Sequence, residues 1–206
     1  MTYELCNIDD YTEAQYGAMY RAAAPERQAR ADKFKHEDDR KRCLCADMLA
    51  RKMLAKAANV APEEIAFTYG DKGKPHANLP LHFNVSHAGA YVLCAVADTP
   101  IGADIEKIKP FRAGMVARYF TDAEAAYIWG SNPPFDGNVT DPDTCARFYR
   151  VWTAKEAYVK MTGTGISTDL GAVAFDPDAQ TVCGIRLITP QAPEGYMISI
   201  VKSDLA

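Results

Sequence analysis

The run Tyr91-Val92-Leu93-Cys94-Ala95-Val96-Ala97 is apolar at every position. Side chains alternate across a strand, so a run like this is greasy on both faces and belongs in the middle of a sheet. Leu81-His82-Phe83-Asn84-Val85-Ser86-His87 reads as its hairpin partner, joined through Ala88-Gly89-Ala90 with glycine in the short loop. His87 closes that partner strand beside Ser86.

Helical and strand patterns surround this hairpin. Residues 12–24 suit an amphipathic helix, and Pro25 starts another segment where proline is tolerated. Leu44, Met48, Met53 and Leu54 recur at near-helical spacing, which predicts a long helix over 37–58 ended by Asn59. Further helices are expected over 113–119, from the capping box Thr121-Asp122-Ala123-Glu124 to Trp129, and from a cap at Asp143 or Thr144 to Gly163. Strands are expected over 65–69, 172–175, 182–188 and 196–201, the last three as a terminal antiparallel sheet. Residues 131–143 read as an exposed, mobile loop, and Gly70-Asp71-Lys72-Gly73-Lys74-Pro75 as a compact turn presenting a lysine.

A chain of 206 residues, 48% hydrophobic, can bury a sizeable core as one large domain or two small ones. Its formal charge of −4 argues against a protein built to coat nucleic acid. The N-terminus lacks the basic and apolar segments of a signal peptide, and no run is apolar enough to span a bilayer. The six cysteines form no C-x-x-C pair and are expected as reduced thiols of a cytoplasmic protein.

Chemistry concentrates in three places. Ile101-Gly102-Ala103-Asp104-Ile105-Glu106 reads as a strand with Ile101, Ala103 and Ile105 on one face and Asp104 and Glu106 on the other. Gly102 shares the acidic side and is expected to leave room for something to approach beside Asp104. Trp152, Glu156 and Lys160 recur every four residues along one helix stripe. If that helix packs across the strand, three carboxylates converge with a cation beside them, a set that suits magnesium and substrate phosphate oxygens. The third place is the basic stretch from Arg27 through Arg30 to Arg42, which reads either as a solvated helix face or as a cup for phosphate groups at a helix start. The residues by themselves point to a magnesium-dependent enzyme acting on a phosphorylated substrate.

Gly102-Ala103-Asp104-Ile105-Glu106 followed by Trp152-Thr153-Ala154-Lys155-Glu156-Ala157-Tyr158-Val159-Lys160 resembles the paired signature of the 4′-phosphopantetheinyl transferases. Phe83-Asn84-Val85-Ser86-His87, Gly73-Lys74-Pro75 and the basic stretch before Arg42 resemble the surfactin-synthetase-activating (Sfp) branch of that family. The resemblance implies an α+β fold of two similar α/β subdomains related by pseudo-twofold symmetry, residues 1–99 and 100–206, in a monomer with the active site where the halves meet. It implies transfer of the phosphopantetheine arm of coenzyme A to a serine of an apo acyl, peptidyl or aryl carrier protein, releasing 3′,5′-ADP. Asp104, Glu106 and Glu156 would hold Mg2+ on the pyrophosphate. Glu156 would also serve as base, and Lys160 would neutralise the pyrophosphate as the leaving group departs. Ser86 and His87 would meet the 3′-phosphate with Arg27 and Arg30, Lys74-Pro75 would border the adenine, and Arg42 would reach a phosphate.

Four positions depart from the family pattern. Ala103 replaces the usual Ile or Val, Cys43 stands where a small hydroxyl residue is expected, and Arg27 and Arg30 replace lysines. A module that binds coenzyme A or a carrier protein without reacting is the alternative reading, and the complete acidic triad argues against it. Carrier choice is expected to rest on the loop 131–143.

Overall fold

The doubly apolar run lies at the centre of a three-stranded antiparallel sheet. This computed structural model describes residues 1–70, 73–131, 136–165 and 169–204. The protein is α+β, and the chain divides into two units, Met1–Asp98 and Thr99–Ala206.

In the first unit, β1 (Thr2–Asn7) precedes α1 (Glu13–Ala22), which opens on a reciprocal capping box between Thr12 and Gln15. Helix α2 (Pro25–Ala31) starts on its proline. Helix α3 (Glu37–Ala58) has the bounds its periodicity predicts, and Asn59 closes it in the left-handed region at φ 55°. Strands β2 (Phe67–Tyr69) and β3 (Pro75–Ala77) form a small hairpin, followed by β4 (His82–Ala88) and β5 (Tyr91–Ala97). The strand expected over 65–69 is shorter because Ile65 N donates to Pro62 O, closing a 3-10 turn (Pro62–Glu64) ahead of it. The sheet order is β1-β5-β4, with Cys94 opposite both Glu4 and Val85. Leu44, Cys45, Leu49, Met53 and Leu54 of α3 pack with Phe83, Val92, Cys94 and Val96 of this sheet.

The second unit begins with β6 (Ile101–Lys107) and β7 (Phe111–Arg112), then α4 (Gly114–Tyr119) and α5 (Asp122–Trp129), the latter starting on the Thr121–Glu124 capping box. After β8 (Asn138–Val139) comes α6 (Pro142–Thr162), and then β9 (Phe175–Asp176), β10 (Thr181–Val182), β11 (Ile185–Ile188) and β12 (Tyr196–Lys202). An antiparallel sheet runs β6-β12-β11-β10-β9. Its core gathers Phe111, Phe148 and Val151 around a stack in which the Phe111 and Phe148 rings lie 3.9 Å apart.

Several expectations change here. The run 182–188 is two strands, because Cys183 and Gly184 take left-handed φ values of 48° and 77° and turn the chain between them. Leu170–Ala172 is a 3-10 turn, so the strand expected over 172–175 begins only at Phe175. The cap of α6 is Asp141, two or three residues before the expected one, with Pro142 at the first helical position. Within the expected loop 131–143, Asn138–Val139 pairs with β7 and Val139 is fully buried, while residues 132–135 lie outside the described residues.

Gly102 brings the largest revision. A Cβ there would stand 1.9 Å from Ala157 O and 2.4 Å from Met161 N. The space it leaves is filled by the backbone of α6, so its role is close helix-on-strand packing rather than an opening beside Asp104. Strand β6 is an edge of its sheet, yet Ile101 through Ile105 are all buried, and α6 covers the face that Gly102 and Asp104 share. Among the described residues, no helix is long and apolar enough to cross a membrane.

Candidate active site

The second unit brings the two halves of the paired motif together. Asp104 sits mid-strand on β6 and is 3% exposed, while Glu156 and Lys160 project one turn apart from α6. Lys160 Nζ donates to Asp104 Oδ1 at 2.5 Å. A charge-assisted bond this short to a buried carboxylate is among the stronger polar contacts available to a protein.

Glu106 and Glu156 are half-buried beside this pair. Burial raises the pKa of Glu156 above the carboxylate range, the charge of Asp104 raises it further, and Lys160 works against both. Glu106 is raised in the same way, first by burial, then by Asp104, with Glu156 adding to it and Lys109 and Lys160 opposing. Glu106 and Glu156 therefore both sense the charge of Asp104. Their chemistry, all oxygen and no sulfur or imidazole, suits a hard divalent cation, and such a cation would relieve their repulsion. Among the described residues, however, no three or more His, Cys, Asp or Glu side chains are already gathered as a cage. Lys160 is the cation that Asp104 meets.

The buried residues between Glu156 and the helix start fix the direction of α6. Thr153 Oγ1 meets Ser199 Oγ of β12 at 2.8 Å and donates to Tyr149 O. Lys155 is 1% exposed and forms an ion pair with Glu124 Oε2 at 2.5 Å. It also donates to Tyr119 O and Leu170 O, both at 3.0 Å, and lies 4.9 Å from the Phe120 ring centroid. Burial pushes its pKa down, and Glu124 pulls it back up. Glu124 completes the network by accepting from Thr121 N and Phe175 N.

The first unit holds a cavity of about 190 Å³ lined by Arg27, Arg30, Phe34, Tyr69, Pro75 and His87, among others. Four of the residues assigned to coenzyme A thus face one space, and Phe34 and Tyr69 add exposed aromatic surface to it. Lys74, Ser86 and Arg42 are not among its lining residues. Ser86 is buried on β4, where alternation turns it away from its exposed neighbour His87. Arg42 donates to Gly89 O in the β4–β5 turn and to Asp39 Oδ1, both at 2.6 Å. Lys74 is half-buried, and burial lowers its pKa.

Much of the basic stretch is paired within the unit. Arg40 meets Asp32 at 3.4 Å, Lys41 meets Glu37 at 2.5 Å and Glu13 at 3.3 Å, and Arg27 meets the buried Asp47 at 3.3 Å. Burial works against the charge of Arg27, while Cys43, Tyr69 and Asp47 outweigh it and raise its pKa.

Comparison with known proteins decides the family. Residues 100–202 match the model of the 4′-phosphopantetheinyl transferase superfamily, and residues 10–99 match that of the 4′-phosphopantetheinyl transferase N-terminal region. A 4′-phosphopantetheinyl transferase of Bacillus subtilis is 35% identical over 195 residues, spanning 88% of this chain and 83% of its own length. The chain belongs to the 4′-phosphopantetheinyl transferase superfamily. The 4′-phosphopantetheinyl transferase Sfp of Bacillus subtilis strain 168 is 31% identical, with 86% of this chain and 80% of its own covered, and the transferase gsp of Aneurinibacillus migulanus is 30% identical, with 84% and 73% covered. These relatives place the chain with the Sfp-type transferases.

Seen as a transferase of this type, the chain carries three polar residues that pattern reading passes over. Asp47 is an acid on the buried face of α3, four residues before Arg51, and that mismatch with its apolar neighbours was its only signal. Glu124 is legible as a capping residue but not as the partner of Lys155. Ser199 lies in an apolar strand and shows its use only against Thr153.

Proposed function

We propose that the chain transfers the 4′-phosphopantetheine arm of coenzyme A to a serine hydroxyl of an apo acyl, peptidyl or aryl carrier protein, releasing 3′,5′-ADP. The observation that carries this reading is the contact of Lys160 with Asp104, which joins the two separated halves of the motif in one cluster with Glu106 and Glu156. In the reaction the serine oxygen bonds to the phosphorus that bears the pantetheine arm, and the bond from that phosphorus to the bridging oxygen breaks. The electron pair leaves on the terminal phosphate of 3′,5′-ADP.

Glu156 takes the serine proton in this reading. Burial and the neighbouring Asp104 raise its proton affinity, which improves a carboxylate as a base. Lys160 stands ready to offset the negative charge that grows on the leaving phosphate, and Asp104 fixes its direction. Asp104, Glu106 and Glu156 would hold Mg2+, which when bound supplies charge neutralisation and orientation of phosphate oxygens. Arg27, Arg30 and His87, on their common cavity, would receive the 3′-phosphate, with Pro75 beside the adenine. Ser86, Lys74 and Arg42 would act in support, Arg42 from the β4–β5 turn.

The test is a mass measurement on apo carrier proteins incubated with the protein, coenzyme A and Mg2+. The expected gain is one phosphopantetheine, and no gain across acyl, peptidyl and aryl carriers would overturn the reading. Glu156→Ala is expected to lower turnover by about 10²–10⁴-fold. Asp104→Ala is expected to be at least as severe, because it removes a proposed metal ligand and the partner of Lys160. Excess chelator should stop the reaction and Mg2+ should restore it. Full activity in chelator would take the metal out of the account.

A further inference from the structure

The first unit holds a buried carboxylate, Asp47, in the wall of the cavity that also carries Arg27 and Arg30, and the proposed chemistry gives it nothing to do. Asp47 is 4% exposed and lines the same cavity as Arg27, Arg30 and His87. A lone carboxylate there would repel a phosphate. Its two oxygens, however, face two different guanidinium groups, Oδ2 through a hydrogen bond and Oδ1 through charge alone. Oδ2 accepts from Arg51 Nε at 2.8 Å, one turn along α3, and Oδ1 stands 3.3 Å from Arg27 Nε.

The two arginines are held in unequal ways. Arg51 is fixed from behind the cavity: Nη1 donates to Ile65 O at 2.5 Å, and its guanidinium lies 4.9 Å from the Phe67 ring centroid. Arg27 projects from the seven-residue helix α2, which has no side-chain N-cap. Its charged partner is on the Nε side, while among the described residues its Nη atoms meet the neutral Tyr69 hydroxyl at 3.1 Å and the Cys43 sulfur at 3.8 Å. The base of the guanidinium is therefore anchored by charge, and its fork is left with weak partners that a phosphate can displace.

We propose that Asp47 is the positioning residue for Arg27. Backed by Arg51, it holds the guanidinium by its Nε edge so that the Nη fork is presented to the 3′-phosphate of coenzyme A. Asp47 touches neither substrate nor reacting atoms. The inference rests on the reading that this cavity receives the 3′-phosphate, and it adds the element that sets the aim of the receiving arginine.

The test compares coenzyme A with 3′-dephospho-coenzyme A as donors to one apo carrier protein, because only the first carries the group that Arg27 would read. Asp47→Asn is expected to raise KM for coenzyme A about tenfold, the equivalent of one well-placed charge-assisted hydrogen bond. Values of kcat for both donors and KM for the dephospho donor should stay within about twofold, as for loss of a contact made equally in the ground and transition states. The preference for coenzyme A then falls by the same factor as KM rises. Arg27→Ala should lower that preference at least as far, and adding Asp47→Asn to it should change nothing further. If Asp47→Asn fails to fold, Asp47→Glu keeps the buried charge but displaces it by one methylene, and it should also lower the preference.

Equal losses on both donors, an unchanged preference in a folded Asp47 variant, or additive effects with Arg27→Ala would overturn the role of Asp47. A wild-type protein that transfers from both donors without preference would overturn the 3′-phosphate assignment and this inference with it. A wild-type protein that transfers from neither would point instead to failure of the proposed function.

Discussion

Helices α3 and α6 are nearly equal in length, at 22 and 21 residues, and each contributes to its unit's candidate site, but they are built differently. Helix α6 is capped by the Asp141 side chain, and its motif lies mid-helix among fully buried residues: Thr153, Ala154 and Ala157 show no exposed surface. Helix α3 has no side-chain N-cap, and its cations near the start are held by surface partners three or four residues away, Lys41 by Glu37 and Arg42 by Asp39. The difference follows from what each must do. A proton-transfer cluster works only when its groups are fixed to a fraction of an ångström, which requires packing on every side. A phosphate cup acts through charge and tolerates adjustment. Among the described residues α3 makes its buried polar contacts at Cys45, to the Tyr16 hydroxyl, and at Asp47 with Arg51.

The sharpest way to break this comparison is to remove one charge from each helix. Lys155→Ala leaves Glu124 buried without its cation and strips hydrogen bonds from Tyr119 O and Leu170 O. Breaking a buried pair from one side costs about 3–5 kcal/mol, so urea unfolding should show a large share of the protein's stability gone. Lys41→Ala removes a pair whose Glu37 side chain is 68% exposed, and the same titration should barely register it. Comparable losses from the two variants would mean that the helices are supported alike.

Gly102→Ala ranks next. The added methyl meets α6 backbone at Ala157 and Met161, which has no side-chain rotamer to yield, so helix and strand must separate. Overpacking costs about 1–3 kcal/mol, and this contact belongs at the upper end. Separation also parts Lys160 from Asp104, so transfer should fall further than stability does. A variant with a lowered Tm and unchanged turnover would show that the cluster does not depend on the approach of α6 to β6.

What the sequence revealed was local. The bounds of α3 followed from apolar spacing and Asn59, and the start of α5 from its capping box, since both signals lie within a few residues of what they determine. The α+β class and the family were likewise legible, the latter because Asp104, Glu106, Glu156 and Lys160 sit in two recognisable short strings. What stayed hidden depended on contacts between distant segments. The Lys155–Glu124 pair, the Thr153–Ser199 bond and the α6 backbone against Gly102 have no sequence period to betray them. The turn at Cys183-Gly184 was missed although Gly184 marks a break, because a lone glycine also fits a strand and cysteine rarely takes a left-handed φ.

Acid should separate the two helices by sign, in the smallest of these effects. The Glu156 carboxyl is raised above its ordinary value of 4.5 by burial and by Asp104. A group raised in the folded state contributes its stability below its unfolded pKa and loses it as pH rises through the folded one, so at neutral pH ionised Glu156 is a cost to folding. Glu37 and Asp39 on α3 are lowered, chiefly by hydrogen bonds from Lys41 and Arg42. Their contribution is present above the ordinary carboxylate range and is lost as pH falls through their lowered values. Glu156→Gln, melted in chelator so that no divalent cation masks the charge, should therefore unfold at a slightly higher temperature than the wild type at pH 7. That advantage should close as the pH approaches 4.5. Lys41→Ala should instead show its small deficit at pH 7 and lose it in acid. A Glu156→Gln variant less stable than the wild type at neutral pH would mean that this carboxylate supports the fold, and that α6 does not bear a stability cost for its chemistry.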